Sequence, residues 1–169
     1  SAVTGPPQGP LGLGPVYFAN TGERFAHSVF IKYLFADLKD PLNWGLSARI
    51  GRFDYSDGAE VLAGDPTLDW LIKMRISERL IGPFNFTAFT RSFDGAWAWW
   101  DQPSFRVDQL LCHPTQGGFE ERAGNTIKKI DLLATTLTIK KSALIPNTRE
   151  RLFFIRYVDK RPVTQRVDN

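Results

Sequence analysis

Residues 44 to 51 carry the clearest pattern in the chain: Trp44, Leu46, Ala48 and Ile50 alternate with Gly45, Ser47, Arg49 and Gly51. A period of two sends successive side chains to opposite faces of a β-strand, so one face here is apolar and the other polar or small. A helix would mix the two sets around its circumference. The segment therefore demands a sheet with two unlike faces.

Neighbouring segments fit the same plan. His27 to Leu38 is dense in Val29, Phe30, Ile31, Tyr33, Leu34 and Phe35 before Asp37, Lys39, Asp40 and Pro41 break it, which predicts a strand followed by a turn. Phe93 to Trp100 and Phe105 to Cys112 read as two strands joined at Asp101, Gln102 and Pro103. Residues 127 to 140 and 151 to 158 read as a further pair, joined by Ala143 to Thr148 with Pro146 and Asn147 at the turn. In that pair Leu133, Thr135, Leu137 and Ile139 oppose Leu132, Ala134, Thr136 and Thr138, and Phe153, Ile155 and Tyr157 oppose Leu152, Phe154 and Arg156.

Between the strands the chemistry is that of turns and loops. Residues 54 to 66 hold Asp, Gly, Ser and Pro, and residues 67 to 80 suit either a short helix or a strand. Residues 113 to 126 accumulate Gly and charge around Pro114, Gly117, Gly118 and Gly124 and predict a long loop. Residues 5 to 15 are mostly Gly and Pro, so residues 1–25 are expected to be a lead or long loop and 26–169 the β-rich segment. Short turns on one side of a sheet and long loops on the other are a habit of β-barrels.

Composition narrows the classes. No run reaches the ~18 consecutive apolar residues of a membrane helix, which excludes helical spans and leaves a barrel open. Aromatic residues make up 13% of the 169, and such a load must be buried or must face lipid or a ligand. A net charge of +3 gives only a weak preference for anions and does not suit a nucleic-acid partner. Ser1 to Pro15 has neither the basic start nor the apolar core of a signal peptide. Cys112 is the one cysteine and cannot form an internal disulfide.

Strand period alone leaves two architectures, a barrel wall and a soluble β-sandwich. Two features favour the wall. Trp44, Trp97, Trp99, Trp100 and Tyr157 gather near strand ends, as a girdle at a membrane interface would place them. Arg49 and Arg106 lie within strands on the face opposite the apolar one, where a wet lumen accepts a guanidinium and a sandwich core does not.

Longer motifs carry a resemblance. Gly51-Arg52-Phe53-Asp54-Tyr55-Ser56-Asp57-Gly58, then Glu78-Arg79-Leu80-Ile81-Gly82-Pro83, then Arg91-Ser92-Phe93-Asp94-Gly95-Ala96 resemble, in sequence and order, the alginate export family of bacterial outer-membrane proteins. Val158-Asp159-Lys160-Arg161 through Val167-Asp168-Asn169 is similar to the same family. The resemblance spans residues 44 to 169, with 59–77 as an insertion between two motifs, and Arg-Ser-Phe-Asp-Gly is its most specific element. It implies an all-β fold, an antiparallel transmembrane β-barrel of outer-membrane type. The implied function is a porin through which an anionic polysaccharide such as alginate, or a smaller anionic solute, diffuses without catalysis or cofactor. At ~10 residues per strand plus turns, this chain supplies roughly six to eight strands of a larger barrel. Expected partners are outer-membrane lipid, the remainder of the barrel and associated outer-membrane or periplasmic proteins.

A uronate pore needs Arg on its lumen face, because the guanidinium fork matches a carboxylate with two hydrogen bonds. Arg49, Arg52, Arg91 and Arg106 are the candidates, with Asp94 and Asp108 as the partners that hold them in order. Other constellations are weaker. Asp54, Asp57 and Gly58 lack the ligand spacing of a calcium loop and read as a polar turn. Cys112 and His113, with His27 the other histidine, make no metal set or nucleophile. Asp94, Asp101, Glu120 and Glu121 show no motif that would set two carboxylates across a cleft. Two other classes stand beside the pore: a soluble carbohydrate-binding sandwich using Trp97, Trp99 and Trp100, and an outer-membrane scaffold for a partner protein.

Overall fold

Six strands run as an uninterrupted antiparallel meander in the computed structural model, which describes residues 2–3, 26–27, 29–85, 87, 89–118, 121–141, 145 and 148–162. Ala2–Val3 (β1) and Ala26–His27 (β2) pair with each other in a separate two-stranded ribbon. The main sheet has the order Leu34–Leu38 (β3), Leu46–Phe53 (β4), Phe93–Asp101 (β5), Phe105–Pro114 (β6), Ile130–Ile139 (β7) and Glu150–Asp159 (β8). The fold is all-β and the sheet is open: among the described residues β3 and β8 each pair on one side only. The rest of the expected lead, Glu120, Pro146, Asn147 and residues 163–169 lie outside the described residues.

Register assigns every side chain to a face. Arg49 stands opposite Asp37 and Trp97, Trp97 opposite Leu110, Leu110 opposite Ala134, and Ala134 opposite Ile155. One residue along, Ile50 stands opposite Ala36 and Ala96, Ala96 opposite Leu111, and Leu111 opposite Leu133. The first face carries the polar groups and also the core: Phe53, Phe93, Leu110, Cys112, Leu132 and Ala134 are buried there, joined by Tyr55 and Ile81 from the β4–β5 connection. The second face is mostly Leu, Ile, Ala, Val, Trp and Phe, with Gln109 and Thr135 among them and Arg52, Asp94, His113 and Asp131 at its long-loop end, and among the described residues no second sheet covers it. Leu46 is 51% exposed and Ile50 64% exposed, so the Trp44, Leu46, Ala48 and Ile50 row does not pack beneath a second sheet.

Connections differ at the two ends. Residues 39–45, 102–104 and 140–149 link strands at one end, and the longer 54–92 and 115–129 link them at the other. The 115–129 connection begins after β6 has run to Pro114, later than the expected loop start, and includes a 3₁₀ turn at Glu121–Gly124. The expected insertion at 59–77 contains the helix Pro66–Leu71 (α1). The Asp65 carboxylate accepts from the backbone of Thr67 and Leu68 at 3.0 and 2.9 Å, and Pro66 opens the first turn. That cap and the Pro decide for helix where periodicity alone was ambiguous. A π-helical turn at Ile72–Ile76 follows, and the Ser77 hydroxyl closes it by donating to the Lys73 carbonyl at 2.7 Å.

The strand expected from His27 to Leu38 is the main local difference. Regular pairing starts only at Leu34. Lys32 and Tyr33 are drawn to tertiary partners instead, the ammonium to Thr90 and the phenol to Asp54, which holds this stretch off the β4 edge.

Gly51 and Gly95 face each other across β4 and β5. A Cβ on Gly95 would lie 2.1 Å from the Leu111 carbonyl and 2.6 Å from the Cys112 Cα, so β6 backbone fills the space a side chain would need. Gly95→Ala is expected to destabilise the fold by about 1–3 kcal/mol through overpacking. Chemical denaturation of the variant beside the parent measures it, and an unchanged midpoint would contradict the close approach.

Candidate functional site

The polar face of the sheet carries a transverse array of ion pairs set on aromatic rings. Arg49 grips Asp37 through Nε at 2.6 Å and Nη2 at 2.9 Å, and its guanidinium lies 4.0 Å from the Phe35 ring centre and 5.8 Å from that of Trp97. Arg106 grips Asp108 with donor distances of 2.8 to 3.1 Å and lies over Trp97 and Trp99 at 5.7 and 5.4 Å. Asp108 is 1% exposed and also accepts from Trp97 Nε1 at 3.0 Å. Such burial is tolerable for a carboxylate because charged and neutral donors surround it. Asp101 pairs with Lys140 and approaches Arg106 at 3.9 Å.

This array is a direct product of register. Asp37 and Arg49 are cross-strand partners, as are Trp99 and Asp108, and Asp101 and Arg106. Arg106 and Asp108 are two apart on one strand and so share its face.

A second cluster fastens the β4–β5 connection across this face. Segment 54–62 leaves β4 and reaches β8, where Arg151 donates to Asp57, to Glu60 at 2.7 Å and to Thr136 at 3.3 Å. The Asp57 and Glu60 side chains are only 6% and 2% exposed. Arg149 donates to the Val61 carbonyl, and the Tyr55 hydroxyl donates to Glu60 at 2.7 Å while its ring packs edge-on to Trp97 at 5.3 Å. Burial pushes the Tyr55 phenol and the Asp57 carboxyl above their ordinary ranges; for Asp57 the Arg151 guanidinium opposes the rise without cancelling it.

The structure separates the residues expected to act together. Arg49, Arg106 and Asp108 share the polar face, and Asp108 orders Arg106 as expected. Arg52 and Asp94 are also paired, through Arg52 Nε at 2.6 Å and Nη2 at 2.7 Å, but on the apolar face at its long-loop end. Three residues along a strand reverse the side, so Arg52 cannot share a face with Arg49. It lies under the 115–129 connection, donating to the Gly124 carbonyl at 2.9 Å and to Thr126 at 3.0 Å, and Thr126 in turn donates to Asp94. Arg91 belongs to neither face. It precedes β5, its guanidinium lies 4.4 Å from the Phe84 ring centre, and it donates to the Gln116 carbonyl at 3.3 Å. Burial lowers its pKa.

Arg151, Glu60, Tyr55 and Asp37 were not singled out from the sequence as site residues, and Asp57 read as a simple turn. Asp37 and Arg49 could have been paired by a hairpin register count. The Asp57–Arg151 contact joins residues 94 positions apart and leaves no local trace.

Cys112 is buried in the core. The His113 ring lies 2.8 Å from the Ile130 carbonyl and 3.4 Å from Asp131. Among the described residues no group of three or more His, Cys, Asp or Glu side chains is placed to hold a metal ion, and no helix is long and apolar enough to cross a membrane. No family model, no curated protein and no solved structure matches this chain.

Proposed function

We propose that this chain forms part of the wall of an outer-membrane β-barrel pore in a Gram-negative bacterium, through which an anionic polysaccharide or a smaller anionic solute diffuses. The observation that carries the reading is the exposed apolar face, which spans all six strands and holds its charges at the long-loop end (Arg52, Asp94, Asp131) and on β8 (Arg156), while Arg49, Arg106, Asp108 and Arg151 lie on the other side. A continuous apolar field of this extent is costly in water and favourable against acyl chains. Support comes from the ends of the sheet. Trp44, Trp100 and Phe105 cluster where the short connections lie, with Trp100 Nε1 donating to the Trp44 carbonyl at 3.0 Å and its ring edge-on to Phe105 at 5.2 Å. Amphipathic rings at one rim, with short turns there and long loops opposite, suit a membrane boundary. The unpaired sides of β3 and β8 leave backbone groups for further strands of a barrel.

In this reading the polar face lines the lumen and segment 54–62 narrows it. Arg49, Arg106 and Arg151 each already hold a carboxylate, so the wall presents exchangeable partners rather than bare positive charge. A uronate passing by can share a guanidinium without being trapped, which is what conduction requires. Reconstitution in planar bilayers tests the proposal. Channels that prefer anions are expected, with the preference reversed by Arg49→Glu combined with Arg106→Glu. Selectivity that is identical in parent and double variant would sink it.

A further inference from the structure

At the long-loop end of the apolar face the character of the surface changes abruptly. Leu34, the cross-strand neighbour of Arg52, is 66% exposed, and Ile50, two residues before Arg52 on the same face, is 64% exposed. Immediately beyond them lies a cleft of about 430 Å³ lined by Phe30, Arg52, Gly124, Asn125, Thr126 and Lys128. Arg52 forms its charged floor, held by Asp94, Gly124 and Thr126. Lys128 in this lining and the adjacent Lys129 are exposed, and among the described residues no carboxylate lies within 4.0 Å of either ammonium. Asp94, Asp131 and Asp54 at this end of the sheet are engaged, by Arg52, by Lys160 at 2.5 Å and by Lys32 at 3.6 Å. Beside the paired Arg52, Lys128 and Lys129 therefore present ammonium groups with no carboxylate partner among the described residues, next to an apolar surface.

We propose that this cleft binds the phosphate-bearing headgroup of an anionic lipid whose acyl chains lie along Leu34, Ile50 and the apolar face below. The inference rests on the reading that this face meets lipid, and adds a specific headgroup site to it. The chemistry fits an amphiphile better than a free ion. Lys128 and the Asn125 amide can reach an anionic oxygen, the Arg52–Asp94 pair gives the cleft a fixed polar floor, and the Phe30 ring gives the first carbons an apolar wall. A free phosphate would use the cations and leave the ring and the adjoining Leu and Ile surface uncovered.

The experiment uses the purified protein and vesicles of phosphatidylcholine with and without phosphatidylglycerol, and measures bound phosphatidylglycerol by native mass spectrometry after detergent extraction. The parent is expected to retain phosphatidylglycerol selectively. Lys128→Glu combined with Lys129→Glu is expected to weaken retention about tenfold or more, since basic residues near a membrane surface each contribute to attraction of anionic lipid. Lys141→Glu, a charge change on the connection at the opposite end of the sheet, is expected to leave retention unchanged. Insertion into both vesicle types without selectivity overturns the headgroup site while leaving the wall reading intact. Equal weakening by Lys141→Glu also overturns the site, because the attraction is then diffuse. Displacement of phosphatidylglycerol by an equal concentration of inorganic phosphate overturns the lipid assignment in favour of a free anion. Failure to insert into either vesicle overturns the wall reading and this inference with it.

Discussion

Leu111→Arg is expected to lower folding stability in a phospholipid bilayer by about 2–4 kcal/mol, and to change stability in a bilayer-free aqueous state by no more than about 0.5 kcal/mol. Leu111 is 57% exposed near the middle of the apolar face, in a row with Ile50, Ala96 and Leu133. The polar groups that flank it on that face already have partners: the Thr135 hydroxyl donates to Gln109 at 2.8 Å, His113 lies 3.4 Å from Asp131, and Asp94 is held by Arg52. The same exposed position thus carries a large cost in one solvent and almost none in the other. Denaturant titration of protein refolded into vesicles measures the first case. A bilayer cost near zero would return the sheet to a soluble class and remove the main support for a pore.

Arg151→Ala is expected to release segment 54–62 from the polar face, with a loss of about 3 kcal/mol in the local stability of that segment. Removing one partner of a buried ion pair leaves the other without compensation, and here two carboxylates depend on one guanidinium. Glu60 keeps the Tyr55 hydroxyl and Asp57 a backbone hydrogen bond from Leu80, and Asp57, already pushed toward its neutral form by burial, takes up a proton or finds water. Limited proteolysis is the direct measurement, with new cleavage expected between residues 54 and 62 and none within the strands. Under the pore reading, single-channel conductance rises in the same variant because the segment no longer narrows the lumen. Arg151→Lys, which can still contact one carboxylate, is expected to fall between parent and Ala. A segment as resistant in the Ala variant as in the parent would show that the Tyr55 and Ile81 packing holds it without the ion pairs.

How much of this was legible beforehand differs from residue to residue. The two faces of β7 and β8 follow from counting alternate positions, and the structure has Leu133, Thr135 and Leu137 opposite in direction to Leu132, Ala134 and Thr136 as the pattern requires. Arg49 and Arg106 share a face for the same reason. The same count, carried three places on, puts Arg52 on the other side, so its grouping with Arg49 overlooked a signal that was present. Arg91 is a different case, because its distance from β5 depends on where the strand begins. Residues 29 to 33 look like a strand from their apolar density, yet Lys32 and Tyr33 find Thr90 and Asp54 and regular pairing waits until Leu34.

Strand existence, the division into an apolar and a polar side, and the sites of the short turns were determined by the sequence itself, because alternation, Pro, Gly and capping act over a few residues. Tertiary structure alone decided that the 54–62 segment crosses the polar face, that Asp57 meets Arg151, and that Arg52 sits beneath Gly124 in a cleft. Those contacts join positions tens of residues apart, and they depend on how register and loop closure bring distant charges together, which no window along the chain contains.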